Sequence, residues 1–470
     1  MSIAIGDDEK DAQEIKLAKR QAHVIKQSQT WQAPESPEVL AQLEKFQDQK
    51  FGLMVHWGLY NLGGLKESWP LIDLDWTKWQ YPPHTSWQEV KEMYLQLHKG
   101  FFPIRFDPEE WADIAANAGF KYLNMTTKHH DGFCMWDTAT TNYKVTGPEC
   151  PYRTQKHSDI VRSLYDAFRA KGMGISVYYS RADMSSPYYW EEGYLMKDGT
   201  RRLPSYDITE KPEQWAKFKS FVRAQLLELA TKYGKIDSLW FDGGCDGYEL
   251  GLDEITDEIR QIQPWVLSVI RSGTKGYVDH LTPELFVPDK PLNVPWETCT
   301  VMGKPYKEFG AQNVSFGYLY DQEYLSPAEI VKLLIDVVAK GGNLALNIAP
   351  QPDGRLPRNA LLSLAVFGPW IQKFGDAIYG TRPIAPYRSG KLAFTQKQGA
   401  VNVFYLYEKE EAVPVQIDIP YNERVQGVTY MRTGEPLSFS HNGSELTVRL
   451  PESVAGAPGD LADVFVIHKS

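Results

Sequence analysis

Cysteine is scarce: the 470 residues contain four, Cys134, Cys150, Cys245 and Cys299, and no two form a C-x-x-C pair. That spacing speaks against zinc-ribbon and thioredoxin-type chemistry and leaves small buried thiols as the plain reading. No apolar run approaches the roughly 18 residues of a membrane span. There is no surplus of positive charge, since 50 Lys and Arg face 60 Asp and Glu for a formal net charge of −10. Nucleic acid and anionic membranes are therefore not expected as partners. The opening MSIAIGDDEKDAQEIK lacks the basic-then-apolar layout of a signal peptide. A cytoplasmic location is the expectation, or else a mature chain whose leader has been removed. No G-x-G-x-x-G follows the early apolar runs, which weakens a dinucleotide-binding reading, and no H-x-x-x-H or H-E-x-x-H occurs.

What is present is a large apolar and aromatic content. Hydrophobic residues make up 43% and aromatics 13%, enough for one large domain or two. From Phe51 onward, short apolar runs recur: FGLMVHWG, GFKYLNMTTKHHDGF, GISVYYS, KIDSLWFDGG, WVLSVIRS and NLALNIAP. Each closes on polar residues or glycine, as buried parallel strands do. Helical patterns separate them. DPEEWADIAANAG opens with Asp107 as N-cap and Pro108 in the first turn and closes on Gly119. Three further helices close on Gly172, Gly234 and Gly341. This alternation predicts an α/β chain: a (β/α)8-like TIM barrel over residues 36–378. Residues 1–35 form an N-terminal helical arm. After about residue 380 the pattern turns to alternating apolar and polar residues with a hairpin signal at HNGS, so residues 379–470 are expected to be a C-terminal antiparallel β-sandwich.

Active sites of such barrels lie at the C-terminal ends of the strands. The residues expected there are His56, His129 and His130, the pair Tyr178–Tyr179, Asp242 and Arg271. Asp242, between a buried-type run and two glycines, is the sharpest position. Glycoside hydrolysis needs two carboxyl groups. Glu297 in NVPWETCT is the first candidate for the second, with Trp296 as an apolar wall, and Glu284 in LTPELF is the rival. The adjacent histidines alternate across a strand unless it has ended, so no metal site is expected.

HWG at 56–58, KHHDGFCMWD at 128–137, VYYS at 177–180, WFDG at 240–243, TPE at 282–284 and WETC followed by GAQNVSFGY resemble glycoside hydrolase family 29, the α-L-fucosidases. The resemblance spans about residues 50–350 and implies a β/α barrel followed by a β-sandwich. It implies a retaining exo-α-L-fucosidase acting on fucosylated oligosaccharides, with no cofactor and no metal; the oligomeric state is left open. Asp242 falls on the family nucleophile, His56, His129 and His130 on its histidines, Tyr179 on the tyrosine before the serine, and Trp240 on the fucose-contacting tryptophan. Glu67, Trp69, Trp136, Arg271 and Phe316 complete the implied sugar contacts. In the subgroup that the WETC block resembles, the W-E glutamate is the acid/base, which favours Glu297 and a preference for α-1,3 or α-1,4 fucose on branched N-acetylglucosamine. The segment 243–250 and the loop around Glu284 are candidate walls for the branch. Phe316 departs from the Trp usual there. The competing readings are another retaining exo-glycosidase, an α-L-fucosidase of broad linkage, and a sugar-binding protein on a glycosidase scaffold.

Overall fold

The structure is a computed structural model that describes residues 7–72, 78, 81–191, 203–244, 247–271, 276–305 and 314–469, with side chains described from residue 14 onward except at 247 and 248. Seven parallel strands build its centre: β1 (Phe51–Val55), β2 (Tyr122–Lys128), β3 (Gly174–Ser180), β4 (Ser238–Asp242), β5 (Leu267–Ile270), β6 (Glu297–Val301) and β7 (Asn343–Asn347). They lie in the order β5-β4-β3-β2-β1-β7-β6, every pairing parallel. All but one of their residues are buried, which is why these runs carry no polar alternation. The gap between β5 and β6 is bridged by an irregular stretch. Asp279 N–H donates to Ser268 O on one side, while Glu297 N–H donates to Leu281 O and Cys299 N–H to Pro283 O on the other. The result is a TIM-like curled sheet whose eighth position is a loop rather than a strand.

The helices begin and end where their sequence signals lie. Asp107 caps Pro108–Asn117 by accepting from Glu110 N–H at 2.9 Å, and Ser326 forms a capping box with Glu329 ahead of Pro327–Ala339. Gly119, Gly172, Gly234 and Gly341 all have φ between +74° and +87°, the left-handed region that a helix exit needs. The N-terminal helix Asp7–Thr30 lies against the barrel: Val24 joins the core, Gln21 donates to Val287 O at 3.1 Å, and Trp31 Nε1–H donates to Val278 O at 2.8 Å. After helix Arg358–Phe374 the chain forms two antiparallel sheets, of six strands and three, around their own core of Phe394, Val403, Ile419, Val448 and Phe465. The HNGS hairpin joins Phe439–His441 to Glu445–Arg449. This sandwich docks on the barrel, with Trp370 Nε1–H donating to Ala462 O at 2.9 Å.

Sequence patterning missed β6. ETCTV carries three polar residues in five, and neither that composition nor a period marks it as a buried strand. The consequence falls on the site.

Candidate active site

Asp242 is the last residue of β4 and opens onto the C-terminal end of the barrel. Its neighbour in register on β3 is Ser180, and Trp240 is level with Tyr178. Adjacent residues in a parallel register share a face, so Tyr178 and Trp240 both point into the barrel, where their rings stack at 5.2 Å. Tyr178 Oη–H donates to Asp242 Oδ2 at 2.7 Å. Arg271, one residue past β5, donates from one guanidinium nitrogen to Asp242 Oδ1 at 3.2 Å and contacts Glu284 Oε2 with another. Burial opposes the charge on Arg271, but Asp242 together with the other groups around it turns the net shift upward.

Strand β2 ends at Lys128, so the histidines that follow are freed from alternation. Their rings lie 4.2 Å apart on the same side. Ser180 Oγ–H donates to Ala182 O at 2.8 Å, so it accepts from His130 Nδ1 at 2.6 Å, and His130 Nε2 faces Asp242 Oδ2 at 4.0 Å. His129 Nδ1 is hydrogen-bonded to Ser68 Oγ. His56 is set by Asn347: the amide Nδ2–H donates to Phe316 O at 2.7 Å, leaving Oδ1 to accept from His56 Nδ1 at 2.8 Å. Burial pushes the His56 pKa down to about 4. A neutral ring with its proton on Nδ1 has only a lone pair at Nε2, so His56 accepts a hydrogen bond there. Phe316 packs on His56 at 4.7 Å and Trp69 lies edge-on to His130 at 5.7 Å. Glu67, buried with φ +45°, accepts through Oε1 from Ser315 Oγ–H at 2.9 Å and from the backbone N–H groups of Phe316 and Gly317, and so anchors the segment carrying Phe316.

Three expected site residues lie elsewhere. Tyr179 faces outward from β3: its hydroxyl donates to Gln225 Oε1 at 2.7 Å and accepts from Lys128 Nζ at 3.1 Å, in a buried cluster under helix Pro212–Lys232. The one-residue step from Tyr178 reverses the face. Trp136 is carried away from the site because the chain after His130 folds back along β2, with Met135 N–H donating to Thr127 O. Its indole donates to Glu228 Oε2 at 3.3 Å.

Glu297 is the larger correction. It is the first residue of β6, not a loop residue at the mouth, and it pairs in register with Asn343, the first residue of β7. Tyr122 Oη–H, from the first residue of β2, donates to its Oε2 at 2.5 Å. It lines the barrel floor beside Ser238, and the four steps of strand from Ser238 to Asp242 cover about 13 Å at roughly 3.3 Å each. Burial does push its pKa up to about 7, as a general acid would need, but the geometry fails first. Glu284, held by the same guanidinium as Asp242, is the carboxyl group that the structure brings beside Asp242. Nothing in the sequence separates Tyr178 from Tyr179 or marks Glu297 as the start of a strand; the register of β3 on β4 and of β6 on β7 decides both. Ser68, Ser180 and Asn347, which orient the histidines, carry no signal either. Cys245 lies outside the described residues; Cys134, Cys150 and Cys299 are buried thiols.

A two-carboxylate cleft lined by histidines and aromatic rings at the mouth of a TIM-like barrel is a carbohydrate-hydrolysing arrangement. The sequence model of the α-L-fucosidase family matches residues 17–376. This chain belongs to the α-L-fucosidase family. Rat tissue α-L-fucosidase is 28% identical over 444 residues, covering 87% of this chain and 86% of the relative, and the human tissue enzyme is 25% identical over 426 residues, covering 87% and 84%. Among solved structures, α-L-fucosidase isoenzyme 1 from Paenibacillus thiaminolyticus superposes with a TM-score of 0.74 at 28% identity, over 92% of this chain and 100% of that one. The fucose complex of Thermotoga maritima α-fucosidase gives 0.71 at 26% identity, over 93% and 100%. The chain is accordingly an α-L-fucosidase, a glycoside hydrolase with a barrel and β-sheet architecture.

Proposed function

We propose that the protein is a retaining exo-α-L-fucosidase in which Asp242 is the nucleophile and Glu284 the acid/base. The observation that carries this reading is Arg271, whose guanidinium touches both carboxylates at once. Two carboxyl groups on one guanidinium are close neighbours, as the pair of a retaining glycosidase, about 5–5.5 Å apart, must be. Asp242 attacks the anomeric carbon as the bond to the leaving oxygen breaks, and Glu284 gives that oxygen its proton. Glu284 then takes a proton from water, which displaces Asp242 and releases fucose with its configuration retained. His56, His129 and His130 hold the hydroxyls, while Trp240, Phe316 and Trp69 offer the apolar surface for the 6-methyl group. His129, His130 and Asp242 bring ligand atoms within 4.8 Å of one another, a spacing open to a metal, which would compete with Arg271 for Asp242.

The preference for α-1,3 or α-1,4 linkages rested on Glu297 as acid/base, and a glutamate at the barrel floor lends it no support. We therefore favour broad linkage use on fucosylated oligosaccharides. Product NMR tests the mechanism: α-fucose must form first, and a first-formed β-anomer would refute retention. A panel of α-1,2, α-1,3, α-1,4 and α-1,6 fucosides tests linkage; kcat/KM more than about a hundredfold higher on branched α-1,3 and α-1,4 substrates would restore the narrow reading.

A further inference from the structure

Beside Arg271 and Glu284 a cavity of about 380 Å³ opens outward, and its far wall is the N-terminal helix. The helix presents Lys16, Lys19, Arg20 and His23 to it. These stand at i, i+3, i+4 and i+7, one face of one helix. Lys16, Lys19 and His23 are exposed and Arg20 is half-buried, so this edge of the helix is basic in a chain whose net charge is −10. The helix is held by Val24, Gln21 and Trp31, so the basic stripe is not what docks it. Arg20 approaches Glu284 at 4.0 Å, which puts the stripe at the acid/base and hence where the leaving group must lie.

On the reading of the site as a fucosidase, the geometry points to a leaving-group pocket for an anionic saccharide, one carrying a sulfate ester or a carboxylate. The cations of this wall repel one another. Burial and then the charge of Arg271 lower the Arg20 pKa. Among the described residues lining this cavity Glu284 is the one carboxylate, and it is bound to Arg271. An anionic substituent relieves that repulsion, and the half-buried Arg20 and Arg271 hold it more strongly than the exposed lysines do. A neutral sugar fits the same volume without that gain, so charge is read as selectivity.

The test uses the full-length enzyme with nitrophenyl α-L-fucoside as reporter and two inhibitors, N-acetylglucosamine and its sulfate ester. The sulfate ester should inhibit about tenfold more strongly at low salt, and the ratio should shrink at about 0.5 M salt, where screening is nearly complete. In the Lys16→Ser/Lys19→Ser double variant, which alters two exposed side chains, the ratio should fall toward one. Equal inhibition by the two sugars in an active enzyme, or a ratio unchanged in the double variant, would overturn the anionic pocket alone. A wild-type enzyme inert toward every α-fucoside would instead overturn the fucosidase reading beneath it.

Discussion

Replacing Glu297 by Gln separates the floor of the barrel from its mouth. In the folded protein burial holds the Glu297 pKa at about 7 against an ordinary 4.5. Below pH 4.5 both folded and unfolded states carry the proton and stability is independent of this group. Between pH 4.5 and 7 the unfolded chain loses its proton while the folded one keeps it, so stability falls as pH rises, and above 7 the loss is complete. At about 1.4 kcal/mol per pH unit the interval is worth roughly 3 kcal/mol. Glu297→Gln removes this term, because the amide stays neutral while its oxygen still accepts from Tyr122. Denaturant unfolding at pH 4.5 and 8 should show the variant losing about 3 kcal/mol less than wild type across that span. Turnover of an α-fucoside should stay within a few-fold of wild type, whereas loss of a general acid costs about 10²–10⁴-fold. Parallel pH-stability curves would refute the buried, neutral carboxyl. A collapse of kcat in a variant that melts normally would refute its exclusion from the chemistry.

The remaining predictions concern the mouth. Asp242→Ala should lose nearly all turnover and, with azide, form β-fucosyl azide by a single displacement, whereas Glu284→Ala with azide should form the α-azide through the covalent intermediate; exchange of these products would reverse the two roles. Tyr178→Phe removes a hydrogen bond to a charged nucleophile worth about 1.5–3 kcal/mol and should lower kcat/KM by about 10- to 150-fold, while Tyr179→Phe should leave kcat/KM near wild type and lower Tm through the Lys128 cluster. Asn347→Ala frees the His56 ring and should raise KM more than it lowers kcat, which steady-state kinetics on a neutral aryl fucoside would show; an unchanged KM would mean that His56 needs no such anchor.

Most of the fold was legible because its signals are local. The apolar runs FGLMV, YLNMTTK, GISVYYS and NLALN are strands over those residues, and the glycines that close the helices adopt the left-handed conformation that their positions imply. The site was less legible because it depends on register. Tyr178 and Tyr179 are equally good strand-end aromatics by sequence, and only the pairing with Trp240 decides which enters the barrel. WETC reads as a loop because ETCTV is polar, yet Thr298 Oγ1 satisfies itself on Phe286 O and Glu297 is held by Tyr122. Buried polar residues with internal partners are invisible to a hydropathy pattern.

The floor and the mouth are nevertheless joined through one side chain. Trp240 carries Tyr178 on its face, lies under the Arg271 guanidinium at 5.6 Å, and turns its indole N–H toward the Glu297 carboxyl without a close hydrogen bond. Glu297 Oε1, Trp240 Nε1 and Ser238 Oγ, all buried, lack partners among the described residues and border one cavity of about 10 Å³. The tilt of Trp240, and with it the Tyr178 hydroxyl on Asp242, therefore rests on a floor whose Glu297 is held by Tyr122. Glu297 then contributes to the reaction only through the position of Asp242, which is why its conservative replacement by Gln should be mild and its truncation to Ala, which opens the floor, should not.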